Sequence, residues 1–117
     1  MKIIEIYFDN LKIKIKYYIG KNKEDNFKII DLCNSNDIWF HINNDSSCHV
    51  IACIPDDIID KDINCIVKTG CSLCKQNTNK YKLVKDKIEI MWTYLKNVKK
   101  TDIIGSVIAE NINIIKC

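Results

Sequence analysis

Apolar and polar residues alternate through "IIEIYF" (3–8) and "KIKIKYYI" (12–19), the period of two that a half-buried strand requires. Asp9-Asn10 suit a turn between them. In the second strand Ile13, Ile15 and Tyr17 face one way, while Lys12, Lys14 and Lys16 form a solvated or weakly phosphate-attracting row on the other. Gly20 ends the strand. Asn22 is a fitting N-cap, with acidic residues in the first turn, and Phe27, Ile30 and Cys33 give the short helix that follows an apolar face. "IWFHI" (38–42) and "CHVIACI" (48–54) alternate again around the loop formers "NNDSS", so they read as an antiparallel hairpin. Pairing Ile42 with Cys48 puts His41 opposite His49 and Trp39 opposite Ile51. One face is then Ile38, Phe40, Ile42, Cys48, Val50, Ala52 and Ile54, and a slip by one residue would expose it.

Pro55 ends the hairpin. From Asp57 onward, Ile59, Ile63, Ile66, Val67, Gly70, Leu73 and Cys74 recur at helical spacing over roughly five turns. Asp56 or Asp57 can cap the start, and Lys75 suits the carboxyl end. Gly70 within the pattern implies close packing on the sheet. "QNTNKYKLVKD" is a polar connection, and "KIEIMWTYL" (87–95) is a strand with Ile88, Ile90 and Trp92 on one face. "KNVKK" is a basic turn. "GSVIAENINIIKC" closes as one strand, or two bent near Glu110-Asn111. The expected fold is α+β: a mainly antiparallel sheet built from hairpins, with one long and one short helix packed on it, in a single domain over 1–117.

Length and composition agree with this reading. The 117 residues suffice for one core, and 47% are hydrophobic. No apolar run is long enough for a membrane span. "MKIIEIYFDN" has a charge within its apolar stretch and no small-residue cleavage site, so no signal peptide is expected and the expected location is cytoplasmic. Net charge is only +3, and all 18 basic residues are lysines. Phosphate contacts must therefore come from point charges or backbone amides rather than from guanidinium forks. Seven cysteines raise the question of disulfides or zinc. Disulfides are not expected in the cytoplasm. "CSLC" (71–74) has a metal-like spacing but no second pair and lies within a helical apolar pattern, so buried thiols are the favoured reading, with no metal and no cofactor.

Several segments together resemble the NFACT-R domain, the RNA-binding module of the NFACT family. "IGKNKEDN" (19–26) is similar to the family's glycine-lysine-asparagine segment before its first helix. "DIWFHI" (37–42) is similar to its D-[IL]-W-F-H-[VI] strand. "SSCHV" (46–50) resembles the S-S-small-H-V of the stand-alone branch, in which a coiled coil follows the domain. "LCKQNT" (73–78) resembles its lysine-bearing helix end, and "WTYLKNVKK" (92–100) its Y-T-x-x-x-N-[VL]-K-K segment. The chain departs in having Trp92 before Thr93, in lacking arginine, in its "CSLC", and in the absence of the coiled coil from these 117 residues.

The resemblance implies nucleic-acid binding, chiefly of RNA. Transfer or ribosomal RNA, the ribosome, translation and ribosome-associated quality control are the implied setting. On that reading Trp39, His41 and His49 stack on or hydrogen-bond bases. Lys21, Lys75, Lys96, Lys99 and Lys100 supply charge, and Asn22, Asn77 and Thr93 bond sugar or phosphate oxygens. Ser46, Ser47, Thr78 and Asn97 fall within the same motifs. The residues alone leave alternatives open. The Trp-His face could be covered by the long helix as core. The two histidines could act as acid and base in a phosphodiester-processing enzyme, with Lys75 the candidate charge stabiliser. The lysines could dock the chain on a ribosome or nucleoprotein without reading bases. Oligomeric state is not legible.

Overall fold

The computed structural model describes all 117 residues. Eight strands and two helices follow in the order β1 (Lys2–Phe8), β2 (Ile13–Ile19), α1 (Lys23–Leu32), β3 (Ile38–Ile42), β4 (Val50–Ala52), α2 (Ile63–Gln76), β5 (Glu89–Tyr94), β6 (Val98–Lys100), β7 (Val107–Ala109) and β8 (Asn113–Lys116). Six of the strands form one antiparallel sheet in the order β1-β2-β4-β3-β5-β8, and β6 pairs with β7 in a second, small sheet. The α+β architecture expected from the pattern is the one found.

The central hairpin takes the expected register, with Ile38 opposite Ala52, Trp39 opposite Ile51 and Phe40 opposite Val50. Its pleat divides the core in two. Ile38, Phe40, Ile42, Val50 and Ala52 face α2, where they pack with Ile63, Ile66, Val67, Leu73, Cys71 and Cys74. Gly70 lies where α2 crosses β3. A Cβ there would meet the Phe40 ring at 2.2 Å, so only glycine admits this approach. On the opposite face Trp39 and Ile51 pack with Ile29 of α1, Leu95 and Val98. The Trp face is therefore covered by the short helix and the small sheet, not by the long helix.

Three local expectations are corrected and one open alternative is resolved. The long helix does not start at Asp57. Ile58 N bonds Pro55 O at 3.3 Å in a turn through Asp56-Asp57, a 3-10 turn occupies Asp60–Asp62, and the α-helix begins at Ile63. Ile59, placed on the helical face by its spacing, is 51% exposed. Asn22 does cap α1, accepting from Asp25 N at 2.8 Å, but the helix's buried face is turned from the expected one and centres on Asn26 and Ile29. "KNVKK" is a 3-10 turn at Leu95–Asn97 leading into strand β6, anchored by buried Val98. The closing segment is two strands, bent where Asn111 takes a φ of 53°.

Candidate nucleic-acid interface

The Trp39, His41 and His49 side chains meet on the α1 face of the sheet. The Trp39 and His41 rings stack with centroids 5.5 Å apart and planes 14° from parallel. His49 stands edge-on to both, 5.4 Å from Trp39 and 5.1 Å from His41. Trp39 has no exposed surface. Its burial among Ile29, Ile51, Leu95 and Val98 corrects the expectation that it stacks on bases: in this geometry the indole braces the site from within. It does so through a hydrogen bond, donating Nε1–H to His49 Nδ1 at 3.1 Å.

That bond fixes His49. An imidazole that accepts at Nδ1 carries its hydrogen on Nε2. Burial, reinforced by the neighbouring His41, pushes its pKa down to about 3, so the ring is neutral at pH 7. His41 takes the other tautomer. Its Nδ1 lies 2.7 Å from the Ile42 carbonyl, which can only accept, so Nδ1 bears the hydrogen and Nε2 a lone pair. Burial also lowers the His41 pKa, opposed by that carbonyl and by Asp45.

A third polar group completes the floor. Asn26 Oδ1 accepts from His49 N at 3.2 Å, and this contact explains Gly20, where a Cβ would meet Asn26 Oδ1 at 2.1 Å. Asn26 is 7% exposed and His49 2%. Their Nδ2 and Nε2 donors have no protein partner, yet no buried side-chain nitrogen or oxygen is sealed from solvent without a bond. Both residues line a cleft of about 880 Å³, and these two donors open into it.

The cleft lies between the start of α1, the β3–β4 loop, the end of α2 and the segment leading into β7. It gathers Lys21, Asn22, Trp39, His41, Ser46, Ser47, His49, Asn77 and Thr78 from the motif residues, and adds Lys23, Asn26, Asn79, Lys80, Met91 and residues 104–107 and 109. Hydroxyls and carboxylates set its walls. Ser47 Oγ accepts from Ile42 N at 3.0 Å where the β3–β4 ladder ends. Thr78 Oγ1 caps α2 on Cys74 O at 2.8 Å. Asp45 accepts from Lys80 at 2.7 Å and from the Tyr81 hydroxyl. Those bonds, with the Ser46 amide, hold its carboxyl down at about 2.

Six motif residues lie outside the cleft. Lys75 donates to Asp86 O at 2.9 Å and Cys117 O at 3.0 Å. Thr93 is buried, donating to Glu110 O and Asn111 O at 3.1 Å while accepting from Asn97 Nδ2 at 3.0 Å. Lys96 lies over the Tyr94 ring, 5.7 Å from its centroid. Lys99 is exposed. Lys100 is paired with Asp31 at 2.6 Å and lies over Phe27, 5.0 Å from the ring centroid. Thr93 and Asn97 therefore brace the β5–β6 corner.

Cys71 and Cys74 are core residues of α2, and burial pushes the Cys71 thiol up to about 12. The grouping with metal-like proximity is a different one: the ligand atoms of Cys33, Asp37 and Cys53 lie within 4.8 Å of one another. Asp37, however, already accepts from Asn34 N at 2.7 Å and Ile54 N at 2.8 Å, one bond to each oxygen. Those bonds account for the buried carboxylate as a loop clasp.

A neutral floor of fixed donors and acceptors under a lysine-bearing rim, carried on a rigid sheet, defines a binding module, and the comparisons say of which kind. The model of the NFACT protein RNA-binding domain matches residues 6–111, and the chain belongs to that family of nucleic-acid-binding modules. It is 33% identical over 84 residues to coiled-coil domain-containing protein 25 of Danio rerio, a match covering 72% of this chain and 41% of that protein. This agrees with the stand-alone branch. The fold is similar to the C-terminal part of the fibronectin/fibrinogen-binding protein from Streptococcus suis, with a TM-score of 0.76 at 15% identity over 99% of this chain and 45% of that one. The chain thus spans less than half the length of either relative.

Proposed function

We propose that this chain binds RNA without cleaving it and that the cleft beside His41 and His49 is where it does so. The observation that carries the reading is the convergence, on one cleft, of nine residues from four separate family motifs, Lys21 among them, with Lys23 also lining it. A chain with a net charge of only +3 has a weak global field, so its affinity must come from such a local arrangement. Transfer or ribosomal RNA, a part in translation or ribosome-associated quality control, and a cytoplasmic setting are the finer expectations that the family carries into this reading.

The two histidines do not suit acid–base cleavage. That chemistry needs one imidazolium and one imidazole poised near the working pH. His49 at about 3 is neutral, with Nδ1 occupied by Trp39, and burial disfavours the charged form of His41 as well.

Fluorescence anisotropy with labelled transfer RNA across a salt series tests the reading. Affinity is expected to fall as salt rises, with a slope of about 0.7–0.9 per phosphate contact. Lys21→Ala with Lys23→Ala is expected to lower that slope and weaken binding to every sequence. Absence of binding by the folded protein at low salt would overturn the proposal. Cleavage that follows the protein through purification and vanishes in His41→Ala and His49→Ala would replace it with the enzyme alternative.

A further inference from the structure

The polar groups on the cleft floor are the wrong set for a phosphate and a suitable set for the edge of a base. Asn26 Nδ2 and His49 Nε2–H are donors without a protein partner, on residues that are 7% and 2% exposed. Neither donor is sealed from solvent, so each is open to a ligand entering the cleft. Beside them His41 Nε2 holds out a lone pair, since its Nδ1–H is taken by Ile42 O. A phosphate offers only acceptor oxygens to that position and would be repelled by the lone pair. A nucleobase offers both kinds of group on one edge, carbonyl or ring-nitrogen acceptors next to an amino or imino donor.

Charge is distributed to match. Lys21 and Lys23 are exposed at the rim, where Lys80 is paired with Asp45 at 2.7 Å, while the floor is neutral. An apolar wall of Met91, Val107 and Ala109 flanks the floor. A volume of about 880 Å³ lies within the range of small-molecule pockets, about 300–1,000 Å³. A base pair within a duplex cannot enter such a cleft, whereas a nucleotide out of the stack can.

Resting on the RNA reading above, we infer that the cleft takes a single unpaired nucleotide. Its base edge meets Asn26, His41 and His49, its face lies on the apolar wall, and its phosphates stay at the lysine rim. The protein then recognises an unstacked base rather than the backbone of a helix.

Three probes test this at one salt concentration: a short single-stranded RNA, an abasic ribose-phosphate chain of the same length, and a blunt duplex of the same strand. The single strand is expected to bind about tenfold or more tightly than either of the others, the scale of one buried, stacked base. Ser46 lies on the exposed rim, so Ser46→Trp should plug the cleft without disturbing the core. Its melting temperature should match the wild type, while its affinity for the single strand falls to the abasic level. Nitrogen-15 spectra of the imidazoles supply a second readout, with the Nε2 resonances of both histidines shifting on binding the single strand and not the abasic chain. Equal affinity for all three probes overturns the nucleotide pocket and leaves the RNA reading standing. Loss of binding to all three at low salt overturns the RNA reading itself. Full single-strand affinity in folded Ser46→Trp places recognition elsewhere and likewise overturns the inference.

Discussion

Acidification should destabilise this protein through His49 before its ordinary carboxylates titrate. The unfolded chain binds a proton at this imidazole near its usual value of about 6.5, whereas the folded protein holds it off to about 3. Because the folded pKa is depressed, the unfolded state binds more protons throughout that window. Stability is then fully present above the unfolded pKa and is lost as pH falls toward the folded one. The loss approaches about 1.4 kcal/mol per pH unit. From pH 7 to 4.5 it amounts to about 2.5 kcal/mol, a large share of the roughly 5–15 kcal/mol that holds a small domain together. His41, also depressed by burial, adds in the same direction. Urea unfolding followed from pH 7 down to pH 5, above the range of most carboxylates, measures the slope. His49→Gln keeps an acceptor for the Trp39 indole and removes the titration, so its slope should be much flatter than the wild type's. Equal slopes in the two proteins, or a flat wild type, would refute the claim that His49 is held neutral.

Three further outcomes are expected. Trp39→Phe should keep most of the ring's burial but leave His49 Nδ1 without its donor, costing about 1–3 kcal/mol in urea unfolding; nitrogen-15 spectra should show the His49 tautomer no longer fixed. Gly70→Ala should destabilise by about 1–3 kcal/mol, because its methyl would overlap the Phe40 ring at 2.2 Å, and a neutral melting temperature would refute the tight crossing of α2 over β3. Lys99→Ala should reduce the salt slope of RNA binding by at most about one contact, and Lys100→Ala by less, since Lys100 is already held by Asp31 at 2.6 Å; anisotropy with both variants checks the order.

The hairpin was legible because two signals agreed. Strict alternation fixed which residues share a face, and five consecutive loop formers fixed where the chain turns, so the pairing of Trp39 with Ile51 followed. The start of α2 was not legible, because Asp56, Asp57, Asp60 and Asp62 are all acceptable caps, and the turn held by Pro55 O decides among them only in three dimensions. Nor could alternation say what covers the Trp-His face. The cover includes β6 and β7, strands of three residues each, too short for any period to show. Asn26 was missed for a different reason. It occupies the apolar stripe that continues through Ile29, Ile30 and Cys33 at helical spacing, and a lone polar residue on such a stripe is the signal that could have marked it. The lysines were visible as types but not as partners: Lys75 and Lys100 have intramolecular engagements that no spacing reveals.

The burial of Trp39 changes what the Trp-Phe-His strand means. A tryptophan and two histidines on one strand face suggest a stacking platform, yet the indole has no exposed surface and contributes one hydrogen bond to the site. That bond has two consequences that cannot be separated. It offsets the cost of burying a polar ring, since an unpaired Nδ1 in the core would be destabilising. It also forces the hydrogen onto Nε2, turning His49 into a fixed donor toward the cleft. Protonation would undo both at once, because an imidazolium cannot accept from Trp39. The same proton would bring a positive charge beside His41, whose proximity already helps depress the His49 pKa. A glutamine at position 49 could satisfy the indole but would leave the direction of its donor to a flexible side chain, whereas the imidazole is held edge-on to His41 at 5.1 Å. The histidine therefore trades some acid stability for a rigid, neutral hydrogen-bond pattern, the kind of trade expected where a site, rather than the fold alone, dictates the residue.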